Sequence, residues 1–259
     1  METKLRALLA GGGGREIRDL SLPVNLRVLV LAPHPDDFDA VGVTLRFFWR
    51  NGHPIEIGVV RTGSGVEDSY RPGLTLGDKA DLREREQRSS VRFFGLPDHC
   101  LTFLSLKNDS EDQPMDTPAN RDALERFVLA KTPDMVFLPH GNDTNSGHSV
   151  MYSLFTQVAR RVGQPLAAFL NRDPKTVDMR TDLYMSFYPE EADWKAKLLR
   201  FHDSQQQRNL RTRGHGLDER ILNVNRRIAR DLSLDKEYAE AFEIEFYSMG
   251  NESLLNTLE

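Results

Sequence analysis

His34, Asp36, Asp37 and His148 are the residues of this chain whose types and spacing could do chemistry together. His34 and Asp37 stand three residues apart in Pro33-His34-Pro35-Asp36-Asp37. An imidazole and a carboxylate at that spacing can converge on one cation if the backbone between them bends, and Pro35 helps to fix such a bend. His148 adds a second imidazole. Two nitrogens and one carboxylate leave a coordination position open, which is the ligand count of a catalytic zinc site rather than a closed structural one. The same donors also suit Fe(II). Zinc, one ion per chain, is the expectation because Asp36 remains as a spare carboxylate beside the pair. Water acidified by a metal needs a neighbouring base to take its proton. The competing reading of the turn is a helix cap, in which Asp36 or Asp37 accepts backbone N–H groups from the segment that follows.

These residues need elements to position them. Val28-Leu29-Val30-Leu31-Ala32 is a continuous apolar run of the kind expected of a strand covered on both faces, and it ends directly at the His-Pro-Asp-Asp turn. Met135-Val136-Phe137-Leu138 predicts a second such strand, and it runs into the polar loop Pro139 to Gly147 just before His148. Between and around them the pattern predicts helices over Ala40–Arg50, Asp81–Phe94, Ala119–Ala130 and His148–Val162, and strands at Pro54–Arg61 and Leu101–Leu104. Thr62 to Lys79, rich in glycine and polar residues, predicts a long loop. Further on, Leu183–Tyr188 reads as a strand, and Glu190–Phe201, Asp218–Asp231 and Glu237–Phe242 as helices. Strands alternating with helices predict an α/β fold, a Rossmann-like three-layer sandwich around a mostly parallel sheet. Ligands of such sheets bind beyond the carboxyl ends of the strands, where both His/Asp clusters fall.

The bulk properties fit this picture. A chain of 259 residues with 39% hydrophobic and 28% charged residues can bury the core of a single globular domain, expected over residues 21–259 behind an N-terminal extension of residues 1–20. Within that extension Met1–Ala10 reads as a short helix and Gly11–Gly14 as a hinge. A net charge of -5 gives no reason to expect nucleic-acid or anionic-membrane binding, and the basic run Arg208–Arg213 reads as a solvated helix end or loop. The single cysteine, Cys100, excludes an intrachain disulfide, reads as a buried structural thiol and fits a cytoplasmic location. No segment resembles a signal peptide or a membrane span. Self-association is left open.

The motifs as a set resemble the LmbE-like (PIG-L-like) deacetylase family. The resemblance rests on Ala32-Pro33-His34-Pro35-Asp36-Asp37, on Pro139-His140 with Asp143 and the later His148, and on Thr62-Gly63-Ser64-Gly65. It continues through Arg83-Glu84-Arg85-Glu86 with Phe94-Gly95-Leu96, His202-Asp203-Ser204-Gln205 and Tyr238-Ala239-Glu240-Ala241-Phe242, spanning Val28 to Phe246. It implies a zinc enzyme that removes an acetyl group from an N-acetylglucosamine-type sugar conjugate. His34, Asp37 and His148 would be the ligands, Asp36 the base, and Arg83 a contact to sugar hydroxyls. Phe38 stands where many members carry Glu, and Asn145 where another histidine helps to stabilise the oxyanion. Asn145 can donate a hydrogen bond there but cannot act as an acid, so His140 or Asp143 is expected to supplement it. The loop Thr62–Lys79, with Tyr70 and Arg71, is expected to wall the substrate. The alternatives are a metal-dependent amidase acting on a non-sugar substrate and a non-catalytic metal- or carbohydrate-binding relative.

Overall fold

In the computed structural model the described residues are 13–248, together with Leu9, so the helix expected over Met1–Ala10 lies outside them, Leu9 aside. The elements follow in the order β1 (Arg15–Glu16), β2 (Val28–Ala32), α1 (Asp37–Ala40), α2 (Gly42–Arg50), β3 (Ile55–Val60), α3 (Leu76–Phe94), β4 (Leu101–Leu104) and α4 (Pro118–Lys131). The second half contributes β5 (Met135–Pro139), α5 (Ser146–Val162), β6 (Leu166–Asn171), β7 (Leu183–Phe187), α6 (Pro189–Leu199), α7 (Asp203–Arg213), α8 (Leu217–Asp231) and β8 (Tyr238–Tyr247).

The strands form one sheet in the order β1-β7-β8-β6-β5-β2-β3-β4. Every pairing is parallel except those of β8, which runs antiparallel to both β6 and β7. Period-two alternation sends the side chains of β2 to two separate cores. Val28, Val30 and Ala32 join a cluster with residues of α2, α3 and α6, whereas Leu29 and Leu31 join one with α4 and α5. Helices therefore cover both faces, and the three-layer α/β expectation holds. The chain leaves β2 toward β3 and β4 on one side and later returns to β5 and β6 on the other. The strand order reverses between β2 and β5, and the carboxyl ends of these strands are the switch point at which such sheets bind ligands.

Several elements differ from the sequence reading. Glu237–Phe242, read as a helix, instead enters β8 from Tyr238 onward. Its residues alternate, with Ala239 and Ala241 packing on α8 and Tyr238, Phe242 and Ile244 entering the main core. The strand β6 carries too weak a period to be read in advance, while the basic run Arg208–Arg213 is the end of the polar helix α7. Helix α3 starts five residues earlier than predicted, because Thr75 and Asp78 form a reciprocal capping box. At the amino end Arg15 and Glu16 already pair with β7 and Ile17 is fully buried, so the chain is inside the fold before residue 20. Cys100 is buried. Among the described residues no helix is long and apolar enough to cross a membrane.

Candidate metal centre

The turn after β2 is closed from both sides: His34 N–H donates to Asp37 Oδ2 at 2.8 Å, and Asp37 N–H donates to the His34 carbonyl at 3.3 Å. This folds the two side chains onto one point, with His34 Nδ1 3.3 Å from Asp37 Oδ2. His148 arrives from the first turn of α5, its Nε2 3.3 Å from Asp37 Oδ1. One donor atom from each of the three residues lies within 4.8 Å of the others. Tetrahedral coordination at ~2.0–2.1 Å puts neighbouring donors about 3.3 Å apart, so the spacing and the N, N, O chemistry fit an ion such as zinc. Burial opposes charge on both Asp37 and His148, yet each sustains the other's: the Asp37 carboxyl lies far below the usual carboxylate range, and the His148 imidazole lies well above that of a free histidine.

The second nitrogen of each imidazole faces an oxygen acceptor behind it. His34 Nε2 is 2.7 Å from Gln113 Oε1, and Gln113 in turn donates to Ser64 Oγ. Gly147 makes this contact possible, since a Cβ there would lie 2.4 Å from Gln113 Oε1 and 2.7 Å from the His34 ring. His148 Nδ1 faces Asp143 Oδ2 at 3.3 Å and Asp173 Oδ1 at 3.9 Å, at ion-pair distances but not aligned as a hydrogen bond. Carboxylates so placed fix the orientation of a ligating histidine and raise its basicity. We expect Asp143→Asn to weaken zinc affinity by about 10–100-fold with the fold intact, read by competition with a chromophoric chelator. Unchanged affinity would show that Asp143 does not support His148.

Asp36 lies beside this cluster at φ +113°, a backbone region that few residues other than glycine enter and that Asp and Asn tolerate best. Two residues of α3 hold it there. Gln87 Oε1 accepts its N–H at 3.1 Å, and Arg83 Nη2 donates to its Oδ1 at 2.9 Å. Arg83 also donates to the carbonyls of Pro35 and, through Nη1 at 2.6 Å, of Ser64. Behind the turn, Asp39 Oδ2 lies 2.6 Å from His202 Nε2, both buried.

The other residues singled out in the sequence take different places. Arg83 is only 2% exposed and engaged with Asp36 and two loop carbonyls, so it is a brace rather than a group displayed to sugar hydroxyls. Asp143 is turned inward, accepting from Asn145 N–H at 2.6 Å and Thr176 Oγ1 at 3.2 Å, which corrects its expected contact with substrate. His140 has both ring nitrogens engaged away from the cluster, Nδ1 by Asn142 N–H and Nε2 by Glu243 at 3.4 Å. Asn145 caps α5 through Oδ1, which accepts from Gly147 N–H at 3.2 Å; among the described residues its Nδ2 has no partner. Arg71 is exposed on the loop before α3, with no contact to the cluster. Sequence reasoning missed Gln113, Gln87 and Asp173. Only Asp173 had a signal, its position just beyond a strand, and that strand was not read.

The sequence profile of the PIG-L family, described as GlcNAc-PI de-N-acetylase, matches residues 29–159, half of the chain. No curated protein sequence matches it. Among solved structures the chain is similar to the N,N'-diacetylchitobiose deacetylase from Pyrococcus horikoshii, with 18% identity, coverage of 85% of this chain and 83% of that one, and a TM-score of 0.69. It is also similar to GalB, the 4-carboxy-2-hydroxymuconate hydratase from Pseudomonas putida, with 17% identity over 88% of this chain and 100% of that one and a TM-score of 0.63. A third neighbour is the A40926 pseudoaglycone deacetylase Dbv21, with 18% identity, 87% and 100% coverage and a TM-score of 0.61. At such identities the neighbours share the fold alone. A hydratase among them underlines that the fold hosts more than one chemistry.

Proposed function

The chain belongs to the PIG-L (GlcNAc-PI de-N-acetylase) family, and from that premise we infer that it is a metal-dependent hydrolase that removes the acetyl group from an N-acetylated sugar conjugate. The family is one of deacetylases, and the deacetylases among the structural neighbours include enzymes for N,N'-diacetylchitobiose and for the A40926 pseudoaglycone. The observation that carries the reading is Asp36. It is a braced, half-buried carboxylate next to a two-histidine, one-aspartate cluster, and a purely binding site has no need of such a base.

His34 through Nδ1, Asp37, and His148 through Nε2 would hold the ion, zinc being our choice among divalent metals. When bound, it would polarise the amide carbonyl and acidify water. Asp36 takes a proton from the attacking water and returns it to the departing amine nitrogen, so acetate and a free amine leave. Arg83 keeps the Asp36 carboxylate in place. Asn145 Nδ2 donates to the oxygen that gains negative charge.

The test is elemental analysis of the wild type and His148→Ala, joined to an assay of acetate release from N-acetylglucosamine conjugates and from N-acetylated non-sugar amines. We expect about one zinc per wild-type chain, little in the variant, and acetate release from the sugars that stops on chelation and returns with zinc. Equal metal in both proteins would overturn the ligand assignment. Turnover indifferent to chelation would overturn the metal dependence.

A further inference from the structure

Gln113 lies between β4 and α4, in a segment without helix or strand, and is nevertheless buried. The segment closes around it. Asp109 Oδ1 accepts Gln113 N–H at 2.9 Å, Asp109 N–H donates to the Gln113 carbonyl at 2.8 Å, and Asn108 pairs with Pro114. Asp112 fastens this loop to the residues that follow β3. Its Oδ2 accepts Gly63 N–H at 2.6 Å, and the Thr62 hydroxyl lies 2.6 Å from its carbonyl and 3.0 Å from Oδ2. Asn108 Nδ2 adds donations to Asp112 Oδ1 at 2.7 Å and to the Arg61 carbonyl at 3.1 Å. Residues 61–64 and 108–114 are thereby joined into one piece, and the Gln113 amide is what it sends to the metal cluster.

The two ends of that amide do different things. Nε2 donates to Ser64 Oγ. Ser64 is itself held, its carbonyl accepting from Arg83 Nη1 at 2.6 Å and its N–H donating to Thr62 Oγ1 at 2.9 Å. With Nε2 engaged there, Oε1 is the end that faces His34 Nε2 at 2.7 Å. An amide oxygen accepts and cannot donate. The ring hydrogen of His34 therefore stands on Nε2, and the lone pair on Nδ1, the nitrogen 3.3 Å from Asp37 Oδ2. The opposite tautomer would place a hydrogen where the ion has to bind. The partners behind His148, Asp143 and Asp173, are carboxylates, whereas the partner behind His34 is neutral and orients the ring without adding negative charge.

We propose that Gln113 is a positioning residue of the metal centre: anchored by Ser64, it fixes the tautomer and orientation of His34 so that Nδ1 is presented to a divalent cation. The proposal rests on the reading of His34, Asp37 and His148 as ligands and is independent of the acetamido substrate. It makes the loop after β3 part of the metal centre, although that loop supplies no ligand.

Zinc affinity of the full chain, read by competition with a chromophoric chelator, tests this. Gln113→Leu removes the acceptor and is expected to weaken zinc binding by about 10–100-fold, the range for losing such a partner. Gln113→Glu keeps an acceptor for His34 and lets the Ser64 hydroxyl donate to it, so its affinity should equal or exceed that of the wild type. A role in packing alone predicts the opposite order, since leucine suits a buried place better than a carboxylate does. Ser64→Ala should weaken binding by about 3–10-fold, the contribution of one hydrogen bond. Once Gln113 is replaced by leucine it should have no further effect, because the two residues act in series. In the cobalt-loaded proteins the visible absorption, which follows the arrangement of ligands, should shift in Gln113→Leu and return in Gln113→Glu. Melting curves of the zinc-free proteins check folding, and Ser64→Ala set against Gln113→Glu carries the test if Gln113→Leu does not fold. Wild-type affinity in Gln113→Leu overturns the proposal, as does a Gln113→Glu protein that binds zinc as weakly as Gln113→Leu. Effects of Ser64→Ala and Gln113→Leu that multiply in the double variant overturn the anchoring by Ser64. Zinc held by the wild type, lost in His148→Ala and untouched by Gln113→Leu removes the proposal and keeps the metal reading; a wild type that holds no zinc removes both.

Discussion

Asp36→Asn is expected to lower acetate release by about 10²–10⁴-fold, the range for losing a general base, while zinc content stays at the wild-type level. Asparagine is the informative replacement here. The residue sits at φ +113°, where Asn is tolerated almost as well as Asp, and an amide oxygen can still accept from Arg83. Alanine would mix lost chemistry with a backbone forced out of place, and glycine would relax the turn that carries His34 and Asp37. With Asn the change reduces to one proton acceptor. Activity within a few-fold of wild type would remove Asp36 from the proton-transfer role. Loss of zinc would instead mean that Asp36 helps to build the metal turn.

Lys195→Met should destabilise the fold by about 3–5 kcal/mol, the cost of breaking a buried ion pair from one side. Lys195 of α6 is fully buried and donates to Glu240 Oε1 at 2.7 Å, Asn225 Oδ1 at 2.8 Å and the Ala40 carbonyl at 2.6 Å. Glu240 on β8 accepts from the Val43 and Thr44 N–H groups at 3.1 and 2.8 Å, at the start of α2. Burial pulls the Lys195 ammonium below its ordinary pKa, and Glu240 pulls it back. The pair therefore adds little beyond what its burial costs, and the penalty appears when one member is left alone. The melting temperature should drop by about 2–4 °C for each kcal/mol lost. Adding Glu240→Gln to Lys195→Met should recover more than half of the loss, because Gln is neutral and keeps one acceptor for α2. Failure to recover would show that Lys195 acts through Ala40 and the turn beyond it rather than through Glu240.

The parts of the site that could be read in the sequence are those held by neighbours in the chain. Pro33 to Asp37 follows a run of buried residues, so both its place at a strand end and its chemistry were visible locally. The same was true of His148 after β5. What could not be read depends on residues far apart in sequence. Arg83, Glu86, Gln87 and Ser90 make α3 look like a surface helix, yet all four are buried. Their partners are Pro35 and Asp36 for Arg83, Ser204 for Glu86, and Asp39 for Gln87 and Ser90, and no periodicity reveals such pairings. Gln113 lies in a segment without pattern, between Asn108 and Pro114. The misreading of β8 has a different cause: alanine and glutamate favour helices in isolation, but here their alternation places small residues under α8 and Glu240 against Lys195.

The position of β8 sets a timetable for how the molecule is made. Strands β1 and β7 reach the rest of the sheet only through β8, which the ribosome delivers after both. Residues 28–148, which carry His34, Asp36, Asp37 and His148, leave the exit tunnel long before that strand exists. At ~5–20 residues per second, β7 waits for seconds with one edge open. During that interval the nascent chain offers an unpaired, apolar strand edge to any other strand nearby, its own or another molecule's. Delay or damage near the carboxyl end thus falls on assembly, through a segment remote in sequence from the turn that carries His34 and Asp37.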